Sequence, residues 1–249
     1  MNSKIARHLL PAVLALLGAS AQAAFDLAVT NARADATISE HPGLGGGTAP
    51  QGAEGTLFSI FPDSFRSATL LRFDLAPWAG RTVDGGAQLD LTFLTMPFAP
   101  SMDIVIRPVA SLWGEYSVTW ANFGGSLGAP VGGGLVLAAD YSRGDRVSFS
   151  LPSALLQGWI DHPASNQGLL LSPASGRDLV FASREFTPDG GQAGDWAPML
   201  SFGTKAGSPA GSPAGIPAGI PAVPEPESWA LMLAGLAGLG GLARRRRAA

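Results

Sequence analysis

From residue 69 the chain alternates. Thr69, Leu71, Phe73 and Leu75 fall on one face, and Leu70, Arg72 and Asp74 on the other. A period of two is the mark of a strand that turns one face to a core. Leu89, Leu91 and Phe93 repeat the pattern against Gln88, Asp90 and Thr92. Ile104 and Ile106 keep the spacing, and Val147 and Phe149 alternate with Arg146, Ser148 and Ser150. Leu169–Leu171, Leu179–Phe181 and Met199–Phe202 are shorter apolar runs. Gly, Pro, Asp or Asn separates nearly all of them, in a chain with 33 glycines and 20 prolines. Many short strands with turn residues between them predict an all-β fold, an antiparallel β-sandwich or jelly roll of about ten strands. One helix is expected. Pro152 suits a first turn, Leu155, Leu156, Trp159 and Ile160 share a side, and Pro163 stops it. This body is expected to run from 24 to 203.

The two ends read as addresses. Residues 1–23 have the order of a secretory signal: Lys4 and Arg7, an apolar run from Leu9 to Gly18, then Ala21-Gln22-Ala23, the small-x-small pattern that signal peptidase accepts. Cleavage is expected between Ala23 and Ala24. Residues 204–222 form a spacer, in which Ala-Gly-Ser-Pro and Ala-Gly-Ile-Pro units repeat from 206 to 221. Proline at every fourth position blocks helix and sheet, so an extended stalk is predicted.

Residues 223–249 hold three parts in order. Pro224, Glu225 and Pro226 make a rigid polar motif. Trp229 to Ala243 carries no charge, and Arg244, Arg245, Arg246 and Arg247 close the segment. An apolar helix of that length reaches about 22 Å, short of a hydrocarbon core of about 30 Å. Four arginines resist crossing and stay cytoplasmic. The expectation is a transmembrane helix that holds only for a time. This order at a chain end, behind a signal peptide, resembles the PEP-CTERM sorting signal. The resemblance implies recognition by an exosortase, a membrane protease that cuts near the motif, in bacteria that make exopolysaccharide and biofilm.

Charge and residue type narrow the chemistry. Ten of the sixteen basic residues but seventeen of the nineteen acidic ones lie between 24 and 223, which argues against a nucleic-acid partner. With no cysteine, disulfides, thiolate metal sites and cysteine catalysis are excluded. His41 and His162 each precede a proline, and no G-x-S-x-G marks a nucleophile. No catalytic residue is named, and no enzyme is expected. Nor is a cofactor expected. Calcium often pins acidic loops of exported sandwiches, but Asp140, Asp145, Asp161, Asp178 and Asp189 are scattered without EF-hand spacing, so no metal site is named.

The body carries a second resemblance. Thr69-Leu70-Leu71-Arg72-Phe73-Asp74-Leu75 and Trp113-Gly114-Glu115-Tyr116-Ser117-Val118-Thr119-Trp120 resemble segments of DNRLRE-type domains. Val147-Ser148-Phe149, Trp159, Asn166-Gln167-Gly168-Leu169 and Phe181-Ala182-Ser183-Arg184-Glu185 follow in the same order. The likeness spans about residues 33–203. It implies a β-sandwich of the carbohydrate-binding-module type, with some relatives linked to acidic polysaccharides such as alginate. Trp78, Trp113 and Trp120 are the candidate sugar-stacking residues, because a flat apolar ring complements pyranose C–H groups. Glu115 is expected to bond backbone in its adjacent turn. The functional expectation is an exported protein of the outer surface or extracellular matrix, reached through signal peptidase, transient inner-membrane anchoring and an exosortase, and binding polysaccharide or building matrix. The alternatives are a structural matrix protein without a sugar site and a polysaccharide-degrading enzyme.

Overall fold

The alternating run at 69–75 pairs with the apolar run at 169–171: Leu70 lies opposite Leu170, and Leu71 opposite Leu169. The computed structural model describes residues 26–44, 46–59, 65–96, 100–176 and 178–206. Its strands are β1 (Asp26–Ser39), β2 (Thr56–Ser59), β3 (Ser67–Phe73), β4 (Arg81–Thr95), β5 (Ser101–Pro108), β6 (Gly132–Leu137), β7 (Arg146–Leu151), β8 (Leu169–Gly176), β9 (Leu179–Ala182) and β10 (Met199–Ala206). One α-helix, α1 (Ser153–Asp161), interrupts them. Strand β10 continues through Ala206, past the expected domain boundary at 203. The signal peptide, the spacer beyond 206 and the tail helix lie outside the described residues. Among the described residues no helix is long and apolar enough to cross a membrane.

Among the described residues every strand pair is antiparallel. The ladder runs β2-β9-β4-β10-β1-β3-β8-β5-β6, with β7 also on β4. Two long strands turn the ladder into a sandwich. β1 gives residues Asp26 to Asn31 to β10 and residues Ala32 to Ser39 to β3, with a register shift between Ala32 and Ala34. β4 pairs with β10 and β7 along most of its length, then passes to β9 through a second shift between Phe93 and Thr95. Such irregularities bend a strand and let it serve two sheets.

The main core joins Leu71, Phe73, Ile104 and Ile106 to Leu89, Leu91, Phe149 and Phe202. Each buried side chain of this size contributes about 1.5–3 kcal/mol. Helix α1 begins after Pro152 and adds Leu156, Trp159 and Ile160 to the same core. Gln157 fixes its place on β4, accepting from the Val83 amide at 2.7 Å and donating to the Arg81 carbonyl at 3.3 Å.

The β1-β3-β8 surface is buried on both faces. Its second face carries Ala34, Ala36, Ile38, Ala68, Leu70 and Leu170, and Val109, Trp113 and Val118 pack over it. These three belong to the irregular segment between β5 and β6, the one that holds the W-x-E-x-S-V-T-W motif. The motif therefore covers a sheet.

Candidate functional site

The covering segment is tied to the sheet by its own polar atoms. Trp113 is buried, and its indole Nε1 donates to the Gln167 carbonyl at 2.7 Å. The Arg72 guanidinium lies 5.1 Å from the centre of the Trp113 ring. Asn166, beside Gln167, donates from Nδ2 to the Phe73 carbonyl at 2.9 Å. Gly168 has a φ of +89°, and a Cβ there would stand 2.0 Å from the Leu71 carbonyl oxygen, so only glycine fits the approach. Further along, the Thr119 amide donates to Asn122 Oδ1 at 2.7 Å, and Asn122 Nδ2 donates to the Ser117 carbonyl at 2.8 Å. These bonds give an irregular loop a fixed shape.

Between this segment and the sheet lies a cleft of about 460 Å³, lined by Trp120, Phe123, Ile38, Leu170 and Arg66 among others. Trp120 and Phe123 are only partly buried. The lining thus sets two partly buried aromatic residues beside Arg66.

The three tryptophans expected to stack sugar separate here. Trp120 lines the cleft. Trp113 is 7% exposed and held by Gln167 and Arg72, outside the lining of the cleft beside Trp120. Trp78 sits in the turn Ala76–Trp78, edge-on to Phe202 at 5.3 Å, with part of its ring packed on the main core. It does not join Trp120.

The motif's glutamate behaves differently from expectation. Glu115 does not bond its adjacent turn. It is buried, and its Oε1 accepts from the Asp35 amide at 3.0 Å, a contact 80 residues away in sequence. The same oxygen lies 2.9 Å from Arg184 Nε. Arg184 also reaches Glu185 Oε1 at 2.6 Å and donates to the Tyr116 hydroxyl at 3.0 Å and the Arg33 carbonyl at 2.6 Å. The Arg184 amide in turn donates to Asp35 Oδ2 at 2.8 Å.

Asp35, Glu115 and Glu185 thereby bring carboxylate oxygens within 4.8 Å of one another. They come from β1, from the covering segment and from the turn after β9. Asp35 is 1% exposed. Burial, opposed by the Arg184 amide and reinforced by the Glu185 and Glu115 charges, pushes the Asp35 carboxyl up to about 8. Neither Asp35 Oδ1 nor Glu185 Oε2 has a hydrogen-bond partner among the described residues, although both atoms are buried. Sequence reading singled out neither Asp35 nor Glu185 as part of a site. The aspartates that it weighed for calcium, Asp140, Asp145, Asp161, Asp178 and Asp189, are not part of this group.

Residues 222–247 match the PEP-CTERM protein-sorting motif. Pro224, Glu225, Pro226 and Arg244 to Arg247 all fall inside the matched span. The PEP-CTERM match supports sorting to the exterior and processing by an exosortase, a membrane protease. No curated protein matches the chain, and no DNRLRE or carbohydrate-binding family is identified over the body. The expected cleavage residues Ala21, Ala23 and Ala24 lie outside the described residues, as do the sorting motif and the arginines.

Proposed function

We propose that this chain is a non-enzymatic surface or extracellular-matrix protein whose β-sandwich adheres to polysaccharide. The single observation that carries the reading is the PEP-CTERM match at residues 222–247. In this account residues 1–23 direct export, and signal peptidase cuts before Ala24. Trp229 to Ala243 then enters the inner membrane, and Arg244 to Arg247 hold there because guanidinium groups resist transfer through hydrocarbon. An exosortase cuts near Pro224-Glu225-Pro226 and releases or transfers the body outward. The Ala/Gly/Pro-rich spacer keeps the sandwich clear of the envelope until then.

Polysaccharide is the ligand class that suits the cleft beside Trp120. Its aromatic lining complements the C–H face of a pyranose, and Arg66 supplies donors for ring hydroxyls. The excess of acidic residues in the body favours a neutral chain over a polyanion such as alginate. The burial of Asp35 and Glu115, 1% and 8% exposed, supports a non-enzymatic reading over glycoside hydrolysis at that pair.

Two measurements test this. Deleting residues 222–249 should shift the protein away from its normal surface or matrix fraction, and unchanged distribution would count against sorting. The secreted protein should be retarded in gels containing the producer's own exopolysaccharide, and Trp120→Ala should abolish the retardation. Equal mobility of both forms would leave a purely structural matrix role. Release of new reducing ends would replace adhesion with degradation.

A further inference from the structure

Three carboxylates and one guanidinium meet at the junction of β1, the covering segment and the turn after β9. With every group ionised, Asp35, Glu115 and Glu185 against Arg184 leave a charge of two negatives in a largely buried space. A buried charge without compensation is strongly unfavourable. Two features show that the described side chains do not complete the arrangement. Asp35 Oδ1, on a residue 1% exposed, has no donor, and Glu185 Oε2 has none either.

The geometry points to a divalent-cation site, of the calcium type, held by Asp35, Glu115 and Glu185. One such ion cancels the residual charge at three carboxylates, two of which, Asp35 and Glu185, carry a buried oxygen without a donor. The donor set selects the metal class: it is all carboxylate, with no histidine or thiolate, and hard oxygen donors suit calcium over zinc or copper. Oxygen pairs as far apart as 4.8 Å fit opposite positions around an ion whose bonds run about 2.3–2.6 Å. Glu185, with 24% of its side chain exposed, gives the ion a way in from solvent. The ion would clamp strands and loop together, because Asp35 and Glu115 are 80 residues apart and Asp35 and Arg184 are 149 apart. The site does not rest on the polysaccharide reading, since the cleft beside Trp120 is lined by other residues.

The experiment uses the secreted protein as isolated, stripped with chelator and passed into chelated buffer. Calcium chloride at millimolar concentration should raise the thermal midpoint by roughly 5 °C, and magnesium should do markedly less. Terbium chloride should give saturable luminescence sensitised through Tyr116 and Trp113, and calcium should compete it away. Glu185→Gln, at the most exposed of the three carboxylates, keeps the side chain's size and should weaken terbium binding by roughly tenfold or more. It should also shrink the calcium-induced shift in midpoint. Asp35→Asn should lose the calcium response altogether. Equal midpoints in calcium and in chelator, with no saturable terbium signal, would overturn the site and leave a proton on Asp35 as the compensating charge. A calcium response that Glu185→Gln and Asp35→Asn both retain would overturn it too, since the ion would then sit elsewhere.

Discussion

Arg184 Nε stands 2.9 Å from Glu115 Oε1, and Glu115 is 8% exposed. This pair joins the covering segment to the turn after β9, while Glu115 also takes the Asp35 amide of β1. Glu115→Ala should therefore destabilise the body by about 2–4 kcal/mol. That is below the full cost of breaking a buried pair, because a third of the Arg184 side chain meets solvent. Urea denaturation of the variant and parent checks this.

Trp113 and Trp120 should part company. Trp113→Ala removes a buried ring and its bond to Gln167, and should cost about 3–5 kcal/mol. Trp120→Ala, at the cleft, should cost about 1 kcal/mol or less while removing retention on polysaccharide. Comparing urea midpoints with gel retardation for the two variants separates framework from binding.

Gly52 lies against the backbone of the site. A Cβ there would stand 2.0 Å from the Glu115 carbonyl oxygen and 2.5 Å from its carbon. No side-chain rotation relieves a clash with backbone, so Gly52→Ala should cost about 1–3 kcal/mol and loosen Glu115 from Asp35. Circular dichroism melts report the cost. Hydrogen exchange at the Asp35 amide, which Glu115 protects, should rise.

The pH dependence follows from Asp35. Its carboxyl sits at about 8 in the fold against an ordinary value of 3.8, first because of burial and then because of Glu185 and Glu115. A raised carboxyl favours the protonated form in the fold. Its contribution is complete below 3.8 and is lost as pH climbs through about 8. In chelator the thermal midpoint should fall across this window, and Asp35→Asn should flatten the fall. Calcium should flatten it as well, because a cation takes the place of the proton.

What the sequence made legible was the part written in alternation. Leu71 and Phe73, Leu89 and Leu91, and Val147 and Phe149 all face the main core as their period of two requires. α1 begins right after Pro152 and buries Leu156, Trp159 and Ile160. Strand β1 was not legible. From Ala34 to Ser39 every residue is buried, including Asp35, Thr37 and Ser39, so the usual contrast between faces disappears. β6 was hidden by its three glycines. The carboxylate group escaped for a related reason: Asp35 and Glu115 meet only through a fold-level contact, and no local spacing encodes it. The Arg184-Glu185 pair after an apolar run was visible, but its partners were not. The sorting motif was legible, because its order of Pro-Glu-Pro, apolar run and arginines is a local pattern that needs no fold.

The most direct test of the whole account is the intact mass of the protein recovered outside the cell. Processing at both ends predicts a polypeptide that begins at Ala24 and ends near Pro224, without Arg244 to Arg247. A mass that retains the four arginines on the exported protein would contradict it.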